Sequence, residues 1–194
     1  LFTAGMGDAI STYYEAFACR RNGAVTRAGG SVSIAAEALA KACLDTVLTY
    51  GEQARKDVEN RLCTEAVENI VEANTYLSGI GFESGGLACA HALHNGLALL
   101  PELSSVMHGE KVAFCTLVQM VLEGRPEEEI SQIHGFCRKV GLPVSLEDMH
   151  AGEIPEHRLF EAAARSCSPE ETMRNIGRDV EPEEVVRVMK RLSK

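Results

Sequence analysis

"GGLACAHALHNGLALLP", residues 85–101, is an almost unbroken apolar run between paired glycines and a proline. From Gly86 on, composition of this kind reads as a central buried helix, stopped at Pro101. His91 and His94 stand three apart in it, so their Cβ atoms lie roughly 5–6 Å from each other on one helical face. An imidazole in such a helix is costly unless its nitrogens find partners. The two rings are therefore metal ligands, donors to a bound substrate, or satisfied core histidines. Spacing alone favours the last.

Outward from this run the helical signal continues in both directions, and β-branched alternation never persists. "DAISTYYEAFACRR" (8–21) has helical composition and meets a breaker at Asn22-Gly23. "SVSIAAEALAKACLDTVLTYG" (31–51) carries an apolar stripe of Ala36, Leu39, Ala40, Cys43, Val47 and Leu48, with Gly51 as its expected end. A charged surface helix follows over 51–63. "TEAVENIVEANTYLSG" (64–79) takes Thr64 as its cap and turns Ala66, Val67, Ile70, Val71 and Leu77 inward.

Beyond Pro101, "HGEKVAFCTLVQMVLEG" (108–124) is another mostly apolar helix. "RPEEEISQIHGFCRKVG" (125–141) places three glutamates in its first turn and Arg138 and Lys139 near its end, which complements the helix dipole. "LPVSLEDM" is a connector, and "EIPEHRLFEAAARSC" and "EPEEVVRVMKRLSK" complete an all-helical series. There is no repeat, low-complexity tract or Pro/Gly/Ser linker. The fold class expected is all-α, one bundle-like helical domain over residues 1–194.

Of the 194 residues 45% are hydrophobic and 24% charged, as in ordinary soluble globular proteins. A net charge of −9 argues against nucleic acid and against a polybasic membrane surface. No apolar stretch approaches the ~20 residues that span a bilayer, and no signal peptide is visible. The seven cysteines are dispersed, with no CxxC, and read as reduced thiols in a cytoplasmic protein. The chain opens on Leu1 in mid-stride, as a fragment, processed product or domain would.

His108 opens the helix after Pro101, seventeen residues past His91, so a turn there can bring the two rings together. A catalytic zinc site has three protein ligands and one open position, and a carboxylate is a common third ligand. Asp8, in "TAGMGDAIS", is the best-placed carboxylate. Its local context also suits an N-cap after a Gly-rich turn, and on context alone the cap is the simpler reading. "GIGFESGG" (79–86) contains a GxG, but it follows a helix and lacks the rest of a dinucleotide fingerprint. Its glycines are expected to permit a bend between two helices. The glutamate runs at 127–129 and 181–184 read as solvated first turns. His134, His150 and His157 receive no role.

Three blocks, "AGMGDAIS", "EANTYLSGIGFESGGLACAHALHNG" and "HGEKVAFCTLVQ", resemble in the same order the C-terminal half of bacterial glycerol dehydrogenases. These belong to the metal-dependent (iron-containing-type) alcohol dehydrogenase superfamily, of dehydroquinate-synthase-like architecture. The resemblance runs from about residue 1 to residue 176. It implies a helical metal domain whose N-terminal NAD-binding partner domain is absent from this chain, with the active site in the cleft between the two. The family pattern falls on Asp8, His91 and His108 as metal ligands, with His91 also beside the substrate. His94 becomes a pocket or bracing residue, and Phe82 matches a pocket-wall aromatic. Iron-dependent relatives carry a histidine four residues after the aspartate; Thr12 stands there, which points to zinc (Zn2+).

The resemblance further implies oxidation of a small polyol such as glycerol to dihydroxyacetone. Zinc polarises the hydroxyl and hydride passes to NAD. It also implies a homo-oligomer. Arg174, in "ETMRN", stands where the family usually has histidine. The alternative is an inactive helical remnant, or a subunit that needs a separate nucleotide-binding chain.

Overall fold

Helices form wherever apolar residues recur at helical spacing. The computed structural model describes residues 1–149 and 154–193. Its helices are α1 (Phe2–Asn22), α2 (Ile34–Glu59), α3 (Glu65–Glu72), α4 (Ser78–Gly85), α5 (Cys89–Leu97), α6 (His108–Leu122), α7 (Glu127–Val140), α8 (Glu156–Ser166) and α9 (Pro182–Leu192). Among the described residues the β-structure is one isolated antiparallel bridge, Val25 with Ser31. The all-α expectation holds. Among the described residues no helix is long and apolar enough to cross a membrane. His150 lies outside the described residues.

The centre of the packing is α6. Phe114, Cys115 and Val118 share one buried cluster with Leu93 and Leu97 of α5, Leu159 of α8 and Met189 of α9. Ala113, Leu117 and Met120 share the second with Met6, Ile10 and Tyr14 of α1, Val47 of α2 and Phe136 of α7. A helix buried on both sides must be apolar nearly all round, as "KVAFCTLVQMVL" is. The apolar run at 86–101, expected to be the central helix, yields only the nine residues of α5, which lies against α6. The run re-enters the core through Leu100 and, after the proline turn, Leu103.

Several local expectations fail, for tertiary reasons. Gly51 does not end α2; the helix runs on to Glu59, and the missing side chain leaves room for the Phe136 ring. Thr64 holds the N-cap position of α3, but its hydroxyl donates to Asp57 Oδ2 at 2.6 Å instead of capping. Val71 is exposed rather than inward. From α3 the chain continues through a π-turn at Ala73–Leu77 directly into α4, so Gly79 and Gly81 are helical. The bend falls instead at Gly86, whose φ of 86° is the left-handed conformation that favours glycine.

The largest correction concerns Asp8. It does not cap a helix; α1 already begins at Phe2, and Asp8 sits about two turns in. Gly5 and Gly7 are helical, and what matters at Gly7 is the absent side chain. A Cβ on Gly7 would run into the backbone carbonyl of Gly109. One on Gly109 would lie 2.7 Å from the carbonyl carbon of Ala4, and closer still to its oxygen. The backbones of α1 and α6 therefore touch where they cross. Asp8 follows Gly7 and His108 precedes Gly109, so this crossing sets the two side chains beside each other.

Candidate metal centre

Three helices contribute to one small cluster. Asp8 projects from α1, His91 from α5 and His108 from the first turn of α6. That first turn is fixed by Glu110, whose carboxylate accepts from the Met107 amide at 2.8 Å. Asp8 Oδ1 lies 3.4 Å from His91 Nε2 and 3.2 Å from His108 Nε2. One ligand atom from each of the three residues falls within 4.8 Å of the others. The His91 side chain is 16% exposed, whereas Asp8 and His108 are 38% and 49% exposed, so the cluster opens to one side only. A groove of about 480 Å³ adjoins it there, lined by Phe2, Val71, Asn74 and Met107 together with Asp8 and His108.

Behind the cluster each imidazole has its other nitrogen engaged. His91 Nδ1 is 2.5 Å from Glu15 Oε2. His108 Nδ1 is 3.0 Å from His94 Nε2. Burial alone would raise the Asp8 carboxyl, but hydrogen bonds and charge from His108 and His91 hold it well below the ordinary carboxylate range. Burial works against a charged His91 ring; Glu15 and Asp8 outweigh it and push its pKa up to about 10. Burial, then the nearby charge of His108, pushes His94 down to about 4. Two carboxylates against one nearly buried ring favour a positive charge at this spot, which a proton or a cation can supply.

The chemistry of the donor set fits a metal ion. His94 Nδ1 is 3.4 Å from Asn95 Oδ1, an acceptor, so its proton sits there and Nε2 carries the lone pair. When its Nε2 proton gives way to a cation, His108 donates from Nδ1 to His94 and turns the lone pair of Nε2 toward the Asp8 side. A carboxylate oxygen and imidazole nitrogens converge on one point, in the hard-to-borderline N/O set that divalent zinc or iron accepts.

Of the residues singled out in the sequence, Asp8, His91 and His108 come together, and His94 stands directly behind His108. Phe82 does not join them: it lies on α4, 37% exposed, and does not line the groove beside Asp8. Thr12 is buried one turn past Asp8, its hydroxyl 2.9 Å from that of Ser78. It is absorbed in the α1–α4 contact. Arg174 is exposed and donates to the Pro169 carbonyl at 2.8 Å. His134 and His157 lie on α7 and α8, outside the cluster.

Two residues escaped the sequence reading. Glu15 is fully buried, and so is Gln119, whose Oε1 accepts from the Ala90 amide at 2.8 Å. A signal existed for Glu15. It falls seven residues after Asp8, on the same face of α1, in an otherwise apolar stretch.

No protein-family model matches the chain. Individual proteins do. A glycerol dehydrogenase of Citrobacter freundii is 50% identical over 185 residues, covering 95% of this chain and 51% of that protein. The crystal structure of glycerol dehydrogenase from Schizosaccharomyces pombe matches with a TM-score of 0.96 at 39% identity, over 99% of this chain and 50% of that one. The chain is the counterpart of the C-terminal half of the glycerol dehydrogenases. It spans about half the length of the curated relatives it matches. An iron-containing alcohol dehydrogenase from Thermococcus thioreducens shares the fold alone, with a TM-score of 0.69 at 16% identity. The family resemblance and the all-α class read from the sequence both hold.

Proposed function

We propose that this chain is the metal-binding half of an NAD-dependent glycerol dehydrogenase and that Asp8, His91 and His108 hold its zinc ion. The observation that carries the reading is the convergence of these three side chains, from three helices, with both rings braced from behind. When bound, zinc supplies Lewis acidity to a substrate hydroxyl, so that the alcohol loses its proton and a hydride can pass to NAD. Asp8 contributes the negative charge that attracts the cation, and its oxygen fixes the side from which the two imidazoles approach. His94 holds His108 in the tautomer that leaves Nε2 available. The groove beside Asp8 and His108 admits a small polyol on the open side, with Phe2, Val71 and Met107 as its apolar wall.

An N-terminal domain holding NAD completes the enzyme in this reading, closing over the exposed edge of the cluster. Glycerol is the substrate and dihydroxyacetone the product, in a cytoplasmic homo-oligomer. Support for the substrate comes from the names of the relatives given above, and support for the ligand set from the geometry; NAD rests on the resemblance. The deciding experiment is metal analysis of the purified chain by mass spectrometry, alongside His91→Ala and Asp8→Asn. Near-stoichiometric zinc in the parent, lost in both variants, is the expected result. A parent chain that takes up no zinc when supplied with it would overturn the ligand assignment. Glycerol-dependent NAD reduction on adding back the nucleotide-binding half would then test the activity.

A further inference from the structure

The helix that carries His91 cannot cap itself. Ala88, at its N-cap, offers no side-chain acceptor, and the first amides of α5 face the protein interior. Buried amides without partners are expensive, so acceptors must come from elsewhere. They come from two neighbouring helices. Glu15 Oε1, from α1, accepts from the Ala88 amide at 2.8 Å and from the His91 amide at 3.0 Å. Gln119, from α6, accepts from the Ala90 amide. Of the two caps, Glu15 alone also reaches the His91 ring, through Oε2.

We propose that Glu15 is the positioning residue of the metal centre: one carboxylate caps α5 in trans and at the same time dictates which nitrogen of His91 faces the cation. The inference rests on the ligand assignment proposed above. An ionised carboxylate only accepts, so the His91 nitrogen it touches, Nδ1, must carry the proton. When a cation replaces the ring's second proton, it therefore meets the lone pair of Nε2, the nitrogen that points at Asp8. Because Oε1 is already engaged with two amides, the carboxylate cannot rotate away without breaking the cap. The ring, the helix start and the carboxylate are thereby locked as one unit. Carboxylates that orient metal-binding imidazoles in this way typically matter roughly 10- to 100-fold in metal affinity.

Glu15→Gln separates the two roles. Gln keeps the size and, with its oxygen toward the two backbone amides, keeps the cap of α5. The opposite amide orientation would set an NH2 group against those same N–H donors. In the favoured orientation an N–H donor faces His91 Nδ1, which must then accept, leaving the proton on Nε2 where the metal should bind. Zinc affinity is measured by competition with a chromophoric chelator, and imidazole ligands are counted by X-ray absorption on the zinc-loaded chain.

Gln119→Leu serves as the structural control, since it removes a cap bond from the same helix without touching the ring. The expected result is a zinc affinity lowered roughly 10- to 100-fold in Glu15→Gln with a reduced imidazole count, and a clearly smaller loss in Gln119→Leu. A Glu15→Gln chain that binds zinc within about twofold of the parent would overturn the proposal while leaving the ligand set intact. Equal losses in the two variants with two imidazoles retained would also overturn it, leaving only a structural role. A parent that binds no zinc would instead remove the ligand assignment itself, and this inference with it.

Discussion

Gly109→Ala tests whether the crossing of α1 and α6 builds the metal centre. The added methyl would stand 2.7 Å from the Ala4 carbonyl carbon, 0.7 Å short of the 3.4 Å at which ordinary contact begins, and the obstacle is backbone. No rotamer change relieves it, so the helices must part by at least that distance. Because the obstacle is backbone, overpacking here belongs at the upper end of its range, about 2–3 kcal/mol, offset by the better helix propensity of Ala, ~1 kcal/mol. A net loss of about 1–2 kcal/mol lowers the melting temperature of a chain this size by about 2–8 °C. The same displacement moves His108 away from Asp8, and metal donors tolerate errors of only about 0.2 Å. Zinc affinity should therefore fall roughly tenfold or more.

Gly135→Ala is the counterpart. It lies inside α7 with nothing within 4 Å of the added methyl, so it should raise stability by about 0.4–1 kcal/mol and leave zinc binding alone. Thermal melts followed by circular dichroism, with chelator competition for zinc, read both variants. If Gly109→Ala melts within about 1 °C of the parent and binds zinc equally well, the reasoning from backbone contact is refuted.

Zinc at about 100 times its Kd should stabilise the parent by about 2.7 kcal/mol, a rise of about 5–11 °C, and this rise should vanish in His108→Ala. In alkylation at pH 8 mapped by mass spectrometry, exposed Cys63 should react first and half-buried Cys167 slowly, its thiol pushed up to about 11 by burial and the glutamates of α9. Cys19, Cys43, Cys89, Cys115 and Cys137 should label only on unfolding; early labelling of Cys89 would contradict the packing of α5. The Arg178 guanidinium donates to both Glu184 oxygens, at 2.7 and 2.9 Å, and holds that carboxyl below its ordinary range. The contribution is present above the unfolded-state pKa and lost as pH falls through the folded one. The stability gap between parent and Glu184→Gln, at most about 1 kcal/mol for so exposed a pair, should accordingly close on acidification. A gap that stays constant down to about pH 3 would argue against the pair.

The helices were legible because their signal is periodic and repeated. The acidic start and basic end of α7, and the apolar stretch of α6, each specify a helix locally. What the sequence does not announce is why a glycine is there. Gly7, Gly51 and Gly81 look like breakers, and a local reading ends or bends a helix at each. In the fold they are helical, and their use is the missing Cβ: it lets backbones meet at Gly7, admits the Phe136 ring at Gly51 and admits the Thr12 methyl at Gly81. Gly86 shows the other use, backbone freedom, with a positive φ. The two uses look identical in a single sequence, and only the packing partner distinguishes them. The cap reading of Asp8 failed for this reason, since it took Gly5 and Gly7 for a turn.

The site follows the same division. The triad of Asp8, His91 and His108 came from a family resemblance, because candidate ligands 83 and 17 residues apart carry no local pattern. Glu15 was missed because one polar residue among Tyr13, Tyr14, Ala16 and Phe17 reads as an exposed position on an amphipathic helix. It is in fact fully buried, and a buried carboxylate must be answered by donors. Those donors are the amides and the ring of α5, seventy-odd residues away. The helix that looked self-sufficient in the sequence therefore depends on α1 for its start, as His108 depends on α1 for its distance from Asp8. Because α1, α5 and α6 supply every one of these ligands and supports, metal binding should be a property of this chain by itself. Hydride transfer, which needs a nucleotide held opposite the cluster, need not be. Zinc affinity and turnover are thus separable measurements, and a chain that binds zinc without oxidising glycerol would agree with the geometry.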